Sequence, residues 1–522
     1  MSIMPRRQYG ALITVGLAVV AAVVVGGLFL TSSSADEIDL TTAELVPADA
    51  GVYIALNTDL ASTQWIDAFA LIERLGEEDP EGQLRDSVEQ QGNFDWEDDI
   101  APFLGGNAAF FLADLDPARG LFQGAVILQT RDSERAERVL LRESGGDFVD
   151  DSYRGVDFKA DRDRDIFIAR IEEHLILAAD EDSLLAVIKV SQNPDLSLAR
   201  VAEFQQLRDQ LTANFLSFVY VDAGTLFEDS LAGMLGKALA QSGADELALK
   251  PMAIVIGATG NAFELQAASV GDAGPAAPAL QPRTSRFAAM VPAEAAIFVS
   301  TFDLAGVWTA SIAEARDELD ELIKDSRHFE NLDEALAAAG QELGLESIEE
   351  LIAIFDGESA LAVWFPSSDE DNVEFVFLAE VSNEQLAQDV LDTIVKTADN
   401  VTERQIGGAT VYFGDVQAGE FGLALAGDYV AFGSRAGLEA VLLGDRPTLA
   451  GFDRYVTAVD ALGVGLGTYG FFDVSRLLRL TDGTIPVDLD EAERALEALI
   501  VNFVSEAGVT RAGGVLTIGT TD

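Results

Sequence analysis

The chain has 522 residues, of which 33 are basic and 89 acidic, for a net charge of −56. At 49% apolar residues it is too apolar for a disordered acidic polymer, and it is long enough for two or more domains with real cores. Its charge repels the phosphates of nucleic acid, and the lack of cysteine excludes disulfide scaffolds, thiol catalysis, Cys-ligated zinc, iron–sulfur clusters and a lipidated Cys.

Residues 1–10 are short and basic, with Arg6 and Arg7. Residues 11–30 form an uncharged apolar run, from Ala11 to Leu30. A helix of that length spans the hydrocarbon core of a bilayer, about 30 Å. Asp36 and Glu37 follow it, so the positive-inside rule places the N-terminus in the cytoplasm and the rest outside. The sequence thus predicts a single-pass cell-membrane protein with a signal anchor, a juxtamembrane linker (31–42) and an extracytoplasmic body of net charge −58. The rival is a cleaved signal peptide, with Ser33 and Ala35 as the small residues before the cut; the length of the run favours the anchor. Ala18, Ala22 and Gly26 share a helix face that allows pairing as a homodimer.

The body carries an internal repeat. Val46-Pro47-Ala48-Asp49-Ala50 recurs as Val291-Pro292-Ala293-Glu294-Ala295, each followed by a strand. Asp59-Leu60-Ala61 and Trp65 then recur as Asp303-Leu304-Ala305 and Trp308. Further on, Gly106 matches Gly357, Ala136, Val139 and Leu140 match Ala387, Val390 and Leu391, and Val221-Asp222 matches Phe472-Asp473. Such a sustained offset predicts two copies of one domain, 43–270 and 287–520, joined by a Pro/Ala-rich linker (271–286).

In the first copy the predicted strands are Val52–Leu56, Ala108–Ala113, Gly124–Gln129, Asp157–Ala160, Ile166–Ile171, Leu175–Ala179, Phe215–Val221, Met252–Ala258 and Ala262–Ala268. Uninterrupted apolar runs among them predict burial, and short polar turns predict antiparallel pairing. Helices are expected from Ser62 or Thr63 to Leu75, from Ser133, and over Asp182–Val190 and Val201–Thr212. In the second copy Ser347-x-x-Glu350 and Ser382-x-x-Gln385 read as capping boxes, and Asp488-x-x-Glu491 approximates a third. The fold class is α+β, with each copy an antiparallel-rich sheet carrying packed helices.

A membrane anchor, then Leu45-Val46-Pro47-Ala48-Asp49, a strand, Asp59-Leu60-Ala61 and Trp65, resembles the bacterial domain of unknown function 3352 family. The resemblance implies an N-terminal anchor and a large extracytoplasmic region. It implies no catalytic residues.

The chemistry is sparse. His174 sits at a hairpin turn where the second copy has Tyr429, and His328 lies in the polar stretch Asp325-Ser326-Arg327-His328. Both are read as surface residues. Asp161-x-Asp163-x-Asp165 with Glu172 approaches a calcium loop, but Ile166 stands where such a loop needs Gly, and Arg162 and Arg164 oppose a cation. It reads as a hairpin tip. Trp65 and Trp308 read as core residues, and Asp222 and Asp473 as caps of the next turn or helix. No catalytic, cofactor-binding or metal residue is singled out, so the sequence leans against an enzyme and implies no cofactor. The expected function is binding or scaffolding in the cell envelope, with an envelope protein as the partner. A carboxylate-dependent envelope hydrolase and a carrier of an apolar ligand remain as alternatives. A scaffold calls for an exposed apolar patch, a carrier for a large apolar pocket, and a hydrolase for converging acids of perturbed pKa.

Overall fold

The computed structural model describes residues 40–92, 94–116, 121–212, 214–222, 250–271, 279–326, 329, 331–366, 373–398, 400–416, 419–462, 465–480, 495–506 and 508–519. The apolar run 11–30, the Ala18, Ala22 and Gly26 face, Ala35, His328 and Asp488-x-x-Glu491 lie outside these residues. Among the described residues no helix is long and apolar enough to cross a membrane. The fold is mixed α and β, with extensive antiparallel sheet. Two compact units divide the chain, one running to Gly271 and the other from Asp272 to Gly519.

The first unit's described strands are β1 (Val52–Asn57), β2 (Leu104–Asp116), β3 (Leu121–Thr130), β4 (Val149–Tyr153), β5 (Val156–Asp161), β6 (Ile166–Ile171), β7 (His174–Ala178), β8 (Ser217–Val221), β9 (Met252–Thr259) and β10 (Ala262–Val270). All pair antiparallel, in the order β10-β9-β8-β1-β2-β3-β7-β6-β5-β4. Strand β4 was missed in the sequence, because Val149-Asp150-Asp151-Ser152-Tyr153 is polar and exposed and offers no apolar alternation.

One face of this sheet is the core. Tyr53, Phe111, Phe218 and Tyr220 are buried on it, and Phe204 of the helix Ala202–Arg208 meets Tyr53, Phe218 and Tyr220 at centroid distances of 5.8, 5.7 and 5.3 Å. That helix ends before the expected Thr212. The helix Thr63–Arg74 starts after Ser62 as expected, while Asp132 and Asp180 cap Ser133–Ser144 and Glu181–Gln192 with their side chains. A further helix, Pro80–Gly92, was not legible, because its apolar residues are few.

The second unit has β11 (Ile297–Phe302), β12 (Glu358–Trp364), β13 (Glu374–Glu380), β14 (Thr402–Ile406), β15 (Ala409–Val416), β16 (Gly419–Ala426), β17 (Tyr429–Ser434), β18 (Thr468–Phe472), β19 (Leu496–Glu506) and β20 (Val509–Ile518). Their antiparallel order is β20-β19-β18-β11-β12-β13-β17-β16-β15-β14. Strand for strand, this is the order found in the first unit. The β14–β15 turn uses Gly407 and Gly408 at φ 59° and 90°, and the β4–β5 turn uses Arg154 and Gly155 at 49° and 82°. Two successive left-handed residues match the twist of a tight hairpin.

Two details differ from the sequence reading. Asn383, not Ser382, caps the helix Glu384–Thr397, accepting from the Leu386 N–H, while Ser382 Oγ donates to the Ile354 carbonyl. Asn caps at least as well as Ser, and it sits one residue closer to the first turn. Ser347 precedes the helix Ile348–Ile352 without a capping bond, because its hydroxyl bonds Glu349. Residues 279–286 are bonded into the second unit, with Thr468 Oγ1 donating to the Ala279 carbonyl at 3.0 Å and Gln281 Nε2 to the Ser505 carbonyl at 3.0 Å.

Candidate functional site

In an antiparallel sheet, directly opposed residues share a face. The registers of the second unit align Val501, Gly470, Val299, Leu361, Phe377, Phe432 and Leu423 in one row across seven strands. Their neighbours on the other face, Phe298, Ala362, Val376, Ala431 and Phe471, are fully buried. The row is open. Val299 is 36% exposed, Leu361 37% and Phe432 41%, with Phe503 of β19 on the same face at 48%. Beside Phe432, Phe375 and Phe421 complete a triad with centroids 5.5 to 6.2 Å apart. Every backbone group of these central strands is directed into the ladder, so the face offers apolar side chains and little else.

The corresponding row of the first unit is Ile254, Val219, Ile54, Phe110, Val126, Leu177 and Ile168. None of these is exposed, and Val126, Leu177 and Ile168 are buried. The burial expected of the first copy's uninterrupted apolar strands is complete for Val126, Ile168 and Leu177, while Ile54, Phe110, Val219 and Ile254 are half-buried. Above Leu128, on this same face of the first sheet, lies a cavity of about 70 Å³. Trp65, Leu84, Phe94, Trp96, Phe103 and Leu140 line it, and Asn57 and Thr58 supply its polar edge. Such a volume holds a short alkyl group but falls well below the ~300 Å³ of a small-molecule pocket.

Trp65 is buried and donates its indole N–H to the Asn57 carbonyl at 2.8 Å. Trp308 is 43% exposed on the helix Leu304–Ser326, so only the first of the recurring pair is a core residue. Asp473 caps as expected, its Oδ1 accepting from the Arg476 N–H at 3.0 Å.

His174 corrects the sequence reading. It is 6% exposed, at the start of β7 between Gln129 and Ile171. The turn before it is only Glu172-Glu173, so His174 already lies inside the ladder, flanked by a strand on each side. Its Nε2 has no hydrogen-bond partner among the described residues. Burial pushes the imidazole below its usual pKa, opposed by the charges of Glu173, Glu172 and Glu44.

The acid-rich segment forms the expected hairpin tip between β5 and β6, where Asp161 is buried and paired with Arg164 at 2.6 Å. Three carboxyls elsewhere are raised by burial. Asp67 is one, with the charge of Arg74 opposing the shift. Glu264 is the second, with a hydrogen bond from Thr259 opposing the shift. Glu358 is the third; its Oε1 accepts from Ser300 Oγ at 2.8 Å and from Ser285 Oγ, and its Oε2 accepts from the Arg286 N–H at 2.8 Å. Those bonds fix the turn at Phe287 to the sheet, which is a structural task. No sequence motif marked Glu358, since a lone Glu at a strand start carries no signal.

The family model described as "Protein of unknown function (DUF3352)" matches residues 10–510. The chain belongs to this family. No curated protein matches it. A solved structure titled "Structure of crystal form I of TP0453" is similar at 10% identity and a TM-score of 0.25, over 45% of this chain and 79% of that one.

Proposed function

We propose that this family member is a binding module of the cell envelope, tethered through residues 11–30 with its body outside the membrane, and built from two copies of one domain. The shared strand order of the two units supports the duplication. The open row Val299, Leu361 and Phe432 carries the binding assignment, because large apolar groups exposed together on central strands mark an interaction surface.

The occupant we assign is the apolar side of a basic amphipathic helix on an envelope partner. Phe503 and Phe432 are separated by five strand spacings, about 24 Å at ~4.8 Å each. A helix of roughly 16 residues covers that distance at 1.5 Å per residue. The acidic body attracts a basic polar flank, and helix-in-groove docking needs no free backbone groups. A second copy fits poorly. Two copies facing each other would oppose like charges, because each chain is strongly acidic.

A fluorescent Leu/Lys amphipathic peptide of 16 residues tests the assignment, with a scrambled peptide of equal charge as control. Wild type should bind the amphipathic peptide at least tenfold more tightly, and Leu361→Asp should remove the difference. Equal binding of both peptides, or binding only to uncharged lipid vesicles, would reject the helix as occupant.

A further inference from the structure

An inversion of charge lies at the end of β18. In a chain where acids outnumber bases 89 to 33, three arginines gather around one buried carboxylate. Asp473 is fully buried, and Arg454 Nη1 lies 3.1 Å from its Oδ1. Arg476 Nη1 is 3.7 Å from the other oxygen and donates to the Ala293 carbonyl at 3.4 Å. Both guanidinium groups lean on the ring of Phe452, with Cζ at 6.0 and 5.8 Å from its centroid. Arg479 stands three residues beyond Arg476 on the helix Val474–Leu480, on the same face, and its Nη1 donates to Ser475 Oγ at 3.1 Å.

Among the described residues Asp473 and Glu294 are the acids that act on Arg476. Burial lowers the pKa of Arg476, and Arg454 and Arg479 add to that effect while Asp473 and Glu294 oppose it. Each guanidinium carries five N–H donors. Most of theirs have no acceptor among the described residues. One guanidinium suffices to neutralise the charge of Asp473, so the cluster holds more positive charge than that carboxylate needs. All three are accessible, since Arg454 and Arg476 keep 29% and 24% of their side-chain exposure and Arg479 is exposed. By the repeat offset, Glu203 of the first unit holds the position of Arg454.

We propose that Arg454, Arg476 and Arg479 form an oxyanion site for a phosphate group, free or as a monoester headgroup. Planar guanidinium forks match phosphate oxygens two at a time, and the partial burial strengthens the contact relative to bulk water. The site stands apart from the apolar row and does not rest on the assignment of that face.

The test uses the exported body, residues 31–522, and follows its melting temperature at fixed ionic strength as chloride is replaced by inorganic phosphate. A ligand that binds only the folded state raises the transition in proportion to its saturation. A saturable rise is expected, and Arg479→Gln should weaken the apparent affinity at least tenfold. Arg479 does not touch Asp473, so this variant keeps the buried ion pair and folds. A short-chain phosphatidate, used below its micelle concentration, separates the sources. Saturation by phosphate alone assigns the free anion, and saturation only by phosphatidate assigns a lipid headgroup. If both probes act no more than chloride at matched ionic strength, or Arg479→Gln binds as wild type does, the site is refuted.

Discussion

Phe298 and Phe432 test whether the second unit's sheet has one covered face and one open face. Phe298 is fully buried against Tyr469 at a centroid distance of 5.8 Å, and Phe432 is 41% exposed. Truncating a buried Phe to Ala removes transfer energy and leaves a cavity, about 3–5 kcal/mol together. Phe432 has lost only roughly three-fifths of its surface to the protein, and full burial of such a side chain is worth at most about 3 kcal/mol. Its truncation leaves no enclosed void, so Phe432→Ala should cost about 1–2 kcal/mol. Against a total stability of about 5–15 kcal/mol, Phe298→Ala threatens folding and Phe432→Ala does not. Urea denaturation of residues 31–522, read as midpoint at constant slope, measures both. Equal losses would show that the Phe432 face is covered in solution, and the reasoning about an open face would fail.

Two further outcomes concern buried titratable groups. His174 has a folded pKa below its unfolded value of about 6.5, so the unfolded chain takes up the proton more readily and stability should fall as pH drops through ~6.5 toward the folded value. The groups around it are Glu172 and Glu173 of its own turn and Glu44 of the turn Leu40–Glu44. His174→Tyr, which places there the residue found at position 429, should remove this component from a plot of melting temperature against pH between 7.5 and 5; an unchanged slope would mean that other groups set it. Glu358→Gln replaces an acceptor oxygen with an amide donor facing Ser285 and Ser300 or the Arg286 N–H, and should cost about 1–3 kcal/mol in chemical denaturation. A neutral result would show that the turn at Phe287 does not depend on this carboxyl.

Much of the frame was legible in the chain itself. Apolar runs such as Ile166–Ile171 are strands because β-branched and aromatic side chains fit a pleated sheet, and the short polar turns between them leave room only for antiparallel pairing. Val221-Asp222 and Phe472-Asp473 end equivalent strands, and the N–H of each Asp donates to a carbonyl, of Gly51 in one unit and of Ala296 in the other. Burial was decided by what packs on each face. Ile54-Ala55-Leu56 and Phe298-Val299-Ser300 do not reveal in sequence which face will be covered, because an apolar run reads alike whether a helix lies over it or water does. His174 shows the same limit. Two glutamates before it suggest solvent, yet a two-residue turn ends one position too early for exposure, and the strands on either side enclose the ring. The arginine cluster around Asp473 likewise draws residues 454 and 476 together from two helices. Local composition set the elements, while the third dimension chose which apolar face met water and which charges met one another.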